Sequence, residues 1–200
     1  MKGSIIIVSF FALGTIVGYF DILAIDFSSI PVTRYVLYLL MFCVGISLGC
    51  DQTLWKQLKG LKWRFALLPL MTAFGTFTGC LAVWLIFRGY SLSEYFAIGS
   101  GFAYYSLSSI FLTELKGIEI GTIALLSNVL REIIALLIIP FIGKRVSPLS
   151  AISLGGATTF DTTLPVITQT VGKQFVVVSI FHGCILDFSV PFLVTFFGSM

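Results

Sequence analysis

Charge is what this sequence has least of. Asp, Glu, Lys and Arg make up 10% of its 200 residues, against about a quarter in an ordinary soluble domain. A solvated globular surface cannot be built from so few ionic groups, and the mean hydropathy of +1.05 excludes one as well. Histidine is scarcer still: His182 is single, so no histidine pair is available to hold a metal. The cysteines Cys43, Cys50, Cys80 and Cys184 are scattered through apolar stretches with no CxxC spacing, and read as small buried hydrophobes rather than ligands or a redox pair. No GxSG or GxGD run occurs, and His182 has no matching serine motif. An intramembrane hydrolase would need such a nucleophile-base or paired-aspartate arrangement, so the chain reads as a non-enzyme with no cofactor. A basic tract is also missing: the net charge of +3 comes from residues at the ends of apolar runs, which are topology signals and exclude nucleic acid as a partner.

Hydrophobic residues, at 58%, are what remains. Apolar runs fall at about 4–25, 33–50, 65–87, 92–113, 120–142, 148–170 and 175–198, each near the ~20 residues that cross ~30 Å of hydrocarbon at ~1.5 Å per residue. Lys2 and the run Ile5 to Phe20 mimic a secretory signal, but no clear A-x-A site follows, and an uncleaved first helix is expected. The sequence therefore predicts an all-α fold, a polytopic transmembrane helix bundle of about seven segments lying in a lipid bilayer. It reads as a single transmembrane domain over 1–200, with three leading helices over 1–88 and the motif-bearing core over 92–200. Gly14/Gly18, Gly45/Gly49 and Gly75/Gly79 have GxxxG spacing and are expected to let helices approach closely.

Lys56, Lys59, Lys62 and Arg64 stand against Asp51 alone in the loop 51–64, which places it on the cytoplasmic side. Simple alternation from there would carry Lys144 and Arg145 to the outer side. One of the Gly-, Ser- and Thr-rich runs, LSEYFAIGSGFAYYSLSSIFL or SPLSAISLGGATTFDTTLPVI, is therefore expected not to cross fully. One or two discontinuous or re-entrant helices follow, their freed backbone groups facing protein or a wet cavity.

Of the nine acids, only Glu132, Asp161 and Asp187 lie well inside apolar runs, away from their ends, and of the twelve bases only Arg131 does. A carboxylate at the bilayer centre costs about 2.5–3.5 kcal/mol on insertion scales, so ion, proton or substrate handling is the usual reason to keep one. Asn128 and Glu132, four residues apart, share a helical face with Arg131 beside it. That stripe predicts either a polar binding surface or a structural ion pair from Arg131 to Asp187. Asp161 reads as a binding group, an N-cap for a half-helix starting near Thr162, or both. The hydroxyls of Thr158, Thr159, Thr162 and Thr163 surround it in sequence. His182 and Asp187 lie about 140° apart on an ideal helix, so they are no ready-made pair; His182 is expected to pack or relay rather than bind metal.

The runs GFAYYSLSSIFLTE (101–114), SNVLRE (127–132), GGATTFDTTLPVI (155–167) and FHGCIL (181–186), with VGISLG at 44–49, make the chain closely resemble the bacterial lysine exporter family, LysO. The resemblance implies a multi-pass carrier in the bacterial cytoplasmic (inner) membrane that expels L-lysine in exchange for protons, with Glu132 and Asp161 at the positions of the family's transport carboxylates. Alternatives are an accessory subunit of a split carrier, or a transporter of another cationic amino acid or diamine. Tyr104 stands where family members tend to have Trp, and Asp187 is an additional acid. Typical members carry a further N-terminal region of about three helices, so a small hydrophobic subunit or a homo-oligomer is expected to complete the carrier. The expected site comprises Asp161, Glu132, Asn128, Arg131, Asp187, Thr158, Thr159, Thr162, Tyr104, Tyr105, Ser106, Gly155 and Gly156. In the expected mechanism Asp161 and Glu132 alternately hold a proton and the lysine ammonium, while the GSGF and GGAT turns take the substrate's carboxylate and amine.

Overall fold

The architecture is taken from a computed structural model. It describes residues 63–200 continuously and, before them, only the isolated helical positions Leu13, Gly14, Ile16, Val17, Tyr19, Tyr35, Leu39, Phe42, Ile46 and Cys50. The chain divides into two units, Met1–Gln52 and Thr53–Met200. Apart from those positions, the segments expected over 4–25 and 33–50 lie outside the described residues, as does the loop 51–62.

Every described element is helical: α1 (Trp63–Ala66), α2 (Leu68–Phe87), α3 (Leu92–Gly99), α4 (Tyr105–Lys116), α5 (Ile118–Arg145), α6 (Pro148–Gly155), α7 (Leu164–Val171) and α8 (Val176–Gly198), with 3-10 turns at Gly156–Phe160 and Lys173–Phe175. Three helical stretches, Leu68–Phe87, Ile118–Arg145 and Lys173–Gly198, are long and apolar enough to cross a membrane. Only 6% of the α2 window and 17% of the α5 window are buried inside the protein. Apolar side chains thus point outward on most sides, as on a helix solvated by lipid or by further apolar surface.

The runs 92–113 and 148–170 are each interrupted in the middle. In the first, α3 stops at Gly99 and the chain turns through Phe102 and Ala103, whose φ values are +46° and +76°. That left-handed backbone costs a residue with a side chain about 1–3 kcal/mol, so the surroundings must impose it. In the second, Gly156 (φ +63°) ends α6 and a 3-10 turn delays the next helix until Leu164.

Both ends of each interrupted pair lie at one end of α5. Tyr90, just before α3, donates its hydroxyl to Glu119 in the first turn of α5 at 2.6 Å, and α4 runs directly into α5 through Gly117. At the other end, a Cβ on Gly143 would lie 2.7 Å from Thr170 and 2.8 Å from Val171, at the close of α7, and 3.4 Å from Ala151 near the start of α6. The α3–α4 and α6–α7 pairs are therefore hairpins that reach inward from opposite ends of α5. Small residues permit this. Ala135 and Ile139 of α5 pack with Ala151, Ile152, Ile167 and Val178 in one buried cluster, close approach being the main source of helix association where oil is the solvent.

At the first hairpin, the rings of Phe77 (α2), Phe96 (α3) and Phe197 (α8) meet edge to face with centroids 5.3 Å apart in each pair, a favoured aromatic geometry. Ser91 opens α3 with a capping box: its backbone N–H donates to Glu94 Oε2 at 2.7 Å, and Glu94 N–H donates to Ser91 Oγ. Those bonds hold the Glu94 carboxyl below its usual value of 4.5. A Cβ on Gly75 or Gly79 would meet nothing within 4 Å among the described residues, and both line a cleft.

Candidate functional site

The hairpin tips meet near the midpoint of α5. Ala157 N–H, in the second tip, donates to Phe102 O in the first at 2.8 Å. A side chain on Gly156 would collide with that same carbonyl oxygen, so glycine is required both for its φ and for the closeness of the two turns. Gly183 of α8 serves the second tip in the same way, a Cβ there falling 2.6 Å from Phe160 N and 2.9 Å from Ala157 O. Gly155 leaves room for Thr159 and Thr163.

Asn128 fixes the first tip. Its Oδ1 accepts from Ala103 N–H at 2.8 Å, and its Nδ2 donates to Ile98 O at 3.1 Å and Ala124 O at 2.9 Å. The sequence suggested Asn128 as a ligand for something polar; in the structure its carboxamide is buried and committed to backbone. This arrangement also accounts for the left-handed Ala103, since the amide is held from outside the turn.

The threonines are similarly engaged. Thr158 Oγ1 donates to Gly155 O at 2.8 Å, and Thr159 Oγ1 donates to Gly156 O at 2.9 Å. His182, fully buried on α8, links the second hairpin to α2: Nδ1 lies 3.0 Å from Thr159 Oγ1, and Nε2 lies 2.8 Å from Thr72 Oγ1, which also pairs with Ser153 Oγ at 2.7 Å. With both ring nitrogens so engaged, His182 packs and ties elements together. Among the described residues no cluster of His, Cys, Asp and Glu could hold a metal.

Asp161 stands at the second tip and is exposed. It does not cap the half-helix: α7 begins only at Leu164, its N-cap is Thr163 with no side-chain bond, and Asp161 Oδ1 accepts instead from the adjacent Thr162 N–H. The exposed Thr162 also reaches Asp161 with its hydroxyl, at 3.4 Å. The charge of Asp161 reaches half-buried Asp187, and Tyr104 at the first tip feels both. The exposed Tyr105 and Ser106 follow Tyr104 directly at the start of α4. Glu132 is half-buried on the α5 face that carries Asn128 and is not among the charges felt by Asp187 or Tyr104. The acid that feels the charge of Asp161 is thus Asp187.

An Arg131–Asp187 ion pair does not form among the described residues, since neither charge figures in the other's surroundings. The Arg131 guanidinium sits 5.8 Å from the Phe102 ring centroid, close to Gly156, where a Cβ would lie 3.5 Å from Nη2. It lines a cleft of about 600 Å³ between α2 and α6, together with Thr72, Thr76, Ser150 and Ser153. A cation–π contact supplies about 0.5–2 kcal/mol, less than the several kcal/mol needed to take a guanidinium out of water.

The sequence profile of the lysine exporter LysO family matches residues 8–198. The chain is 38% identical over 167 residues to a protein named lysine exporter LysO from Escherichia coli (strain K12), covering 84% of this chain and 55% of that protein. It is 32% identical over 165 residues to a protein named putative lysine exporter from Haemophilus influenzae, covering 82% of this chain and 83% of the relative. The chain thus spans little more than half the length of the first relative. No solved structure matches it. A match over nearly the whole chain, in a protein built from apolar helices around two facing hairpins, makes it a member of the lysine exporter LysO family.

Proposed function

We propose that this protein is a multi-pass carrier of the bacterial cytoplasmic membrane that exports L-lysine, coupled to inward proton movement through carboxylates at the hairpin tips. The observation that carries the reading is the convergence of Asp161, Asp187 and Tyr104 where the two interrupted helices meet. Irregular backbone at membrane depth is tolerated where it lines a cavity, and interrupted helices with a binding site near the midplane are a recurring transporter arrangement.

In this reading both hairpins are re-entrant. The α2 helix crosses outward, the α3–α4 hairpin dips in from the outer side, α5 crosses back, the α6–α7 hairpin dips in from the cytoplasm, and α8 crosses outward. Charge supports that path: Lys144, Arg145 and Lys173 then join the basic loop 51–64 inside, while Glu94, Glu114 and Glu119 lie outside with Arg88 and Lys116. The difficulty that simple alternation raised for Lys144 and Arg145 disappears.

The chemistry is competition. Two facing carboxylates repel, and either a proton on one of them or an ammonium between them relieves the repulsion. A lysine side chain arriving from the cytoplasm displaces the proton, and a proton arriving from outside displaces lysine. Glu132 adds a further acid on the same central helix. Names carried by relatives at 38% and 32% identity support lysine as the solute.

The test is Asp161→Asn in cells loaded with lysine-containing dipeptides. Efflux of lysine is expected to be lost while the amount of protein in the membrane is unchanged. Efflux at the unsubstituted rate would reject Asp161 as the transport carboxylate.

A further inference from the structure

We propose that the α2–α6 cleft recognises the α-carboxylate of the solute, with Arg131 as its binding residue, and that this contact makes the carrier select an amino acid over the corresponding diamine. The inference rests on the transport reading above and adds what that reading leaves open, the partner for the anionic end of the substrate.

Three observations converge on it. The cleft, about 600 Å³, runs from Leu68 and Leu149 at the starts of α2 and α6 to Gly79 and Arg131 at mid-helix, a volume within the range of small-molecule sites. Polar groups line it on both walls: Thr76 on α2, Ser150 on α6, and Thr72 and Ser153, whose hydroxyls join the two helices at 2.7 Å. Its inner end carries a guanidinium that no carboxylate neutralises among the described residues; around it are the Phe102 ring, the Cys80 thiol and the buried imidazole of His182, which feels its charge.

A guanidinium suits a carboxylate because its planar fork can donate two parallel hydrogen bonds. Gly75 and Gly79 keep the α2 wall flat, so the groove stays open as far as Arg131. Arg131 also lies beside Gly156 and over Phe102, the residues through which the two tips touch. A carboxylate drawn to Arg131 is therefore delivered to the junction of the hairpins. The acids lie elsewhere in the site: Asp187 feels the charge of Asp161 and not that of Arg131, so the cationic and anionic ends of the solute have separate stations.

The experiment uses the full-length protein in liposomes and measures lysine counterflow in competition with cadaverine, which is lysine without its carboxylate. The unsubstituted carrier is expected to prefer lysine. Arg131→Gln is expected to raise the KM for lysine about ten- to hundredfold, the worth of a charge-assisted bond, and to leave inhibition by cadaverine unchanged. Gly75→Leu, which fills the groove where nothing stands within 4 Å among the described residues, is expected to raise the lysine KM without lowering the melting temperature, and stands in if Arg131→Gln does not fold. Lysine transport with an unchanged KM in either folded variant, or equal loss of lysine and cadaverine recognition in Arg131→Gln, overturns the inference. An unsubstituted carrier that moves no lysine in the same liposomes would instead count against the transport reading itself.

Discussion

Replacing Gly156 by alanine tests the tip-to-tip contact directly. Its backbone sits at φ +63° and ψ −135°, a conformation that costs a residue with a Cβ about 1–3 kcal/mol. The added methyl would also fall closer than 3.0 Å to Phe102 O and 3.1 Å from Phe102 C. Neither is the end of a flexible side chain, so one turn must retreat from the other. That retreat breaks the Ala157 N–H to Phe102 O bond of 2.8 Å, and an unpaired buried amide costs about 1–3 kcal/mol more. The sum, about 2–6 kcal/mol, is a large part of a typical total stability of about 5–15 kcal/mol. Thermal unfolding in detergent is expected to shift down by about 5–20 °C for Gly156→Ala. Gly89→Ala, where a Cβ meets nothing within 4 Å, should stay close to the unsubstituted protein. If Gly156→Ala melts with Gly89→Ala and still supports lysine efflux, the tips do not bear on each other as described.

Part of this arrangement was legible in the sequence. Glycine, serine and threonine in 92–113 and 148–170 marked both interruptions. Periodicity cannot tell which backbone atom a side chain seeks, however. Asn128 shares a face with Glu132, which suggested a joint binding role, whereas its partners are the backbone of Ile98, Ala103 and Ala124. Asp187 looked like a natural partner for Arg131, but the charge that reaches it is that of Asp161 in the turn at 156–163, a proximity that only tertiary packing produces. The strained residues at the first tip are Phe102 and Ala103 rather than the glycine beside them, because bonds from Asn128 and Ala157 hold the turn from outside. The Ser91–Glu94 capping box is the opposite case. The S-x-x-E spacing is written in the sequence, yet a Glu94 at the edge of an apolar run is equally what a solvated terminal charge looks like.

Two further tests follow from particular bonds. Because the capping box holds the Glu94 carboxyl below 4.5, its contribution is present above that pH and is lost as pH falls through the lower, folded-state value. Ser91→Ala is expected to cost about 0.5–2 kcal/mol at neutral pH and less once Glu94 is protonated; a difference in melting temperature that stays constant down to about pH 3 would refute the box. For Asn128, Ala103 N–H has the carboxamide oxygen as its acceptor. Asn128→Ala should therefore speed hydrogen exchange at Ala103 by about ten- to hundredfold. Asn128→Asp keeps that acceptor but replaces the two Nδ2 donors with an oxygen facing the carbonyls of Ile98 and Ala124. A carboxylate there would meet two like dipoles in a low-dielectric interior, so it can sit in place only by taking up a proton and donating to one of them. Lysine efflux by Asn128→Asp should accordingly be lost at neutral pH and partly return on acidification, whereas Asn128→Ala should stay inactive at both. Unchanged exchange at Ala103 in Asn128→Ala would mean that the left-handed turn holds itself and that Asn128 is not what positions the first hairpin.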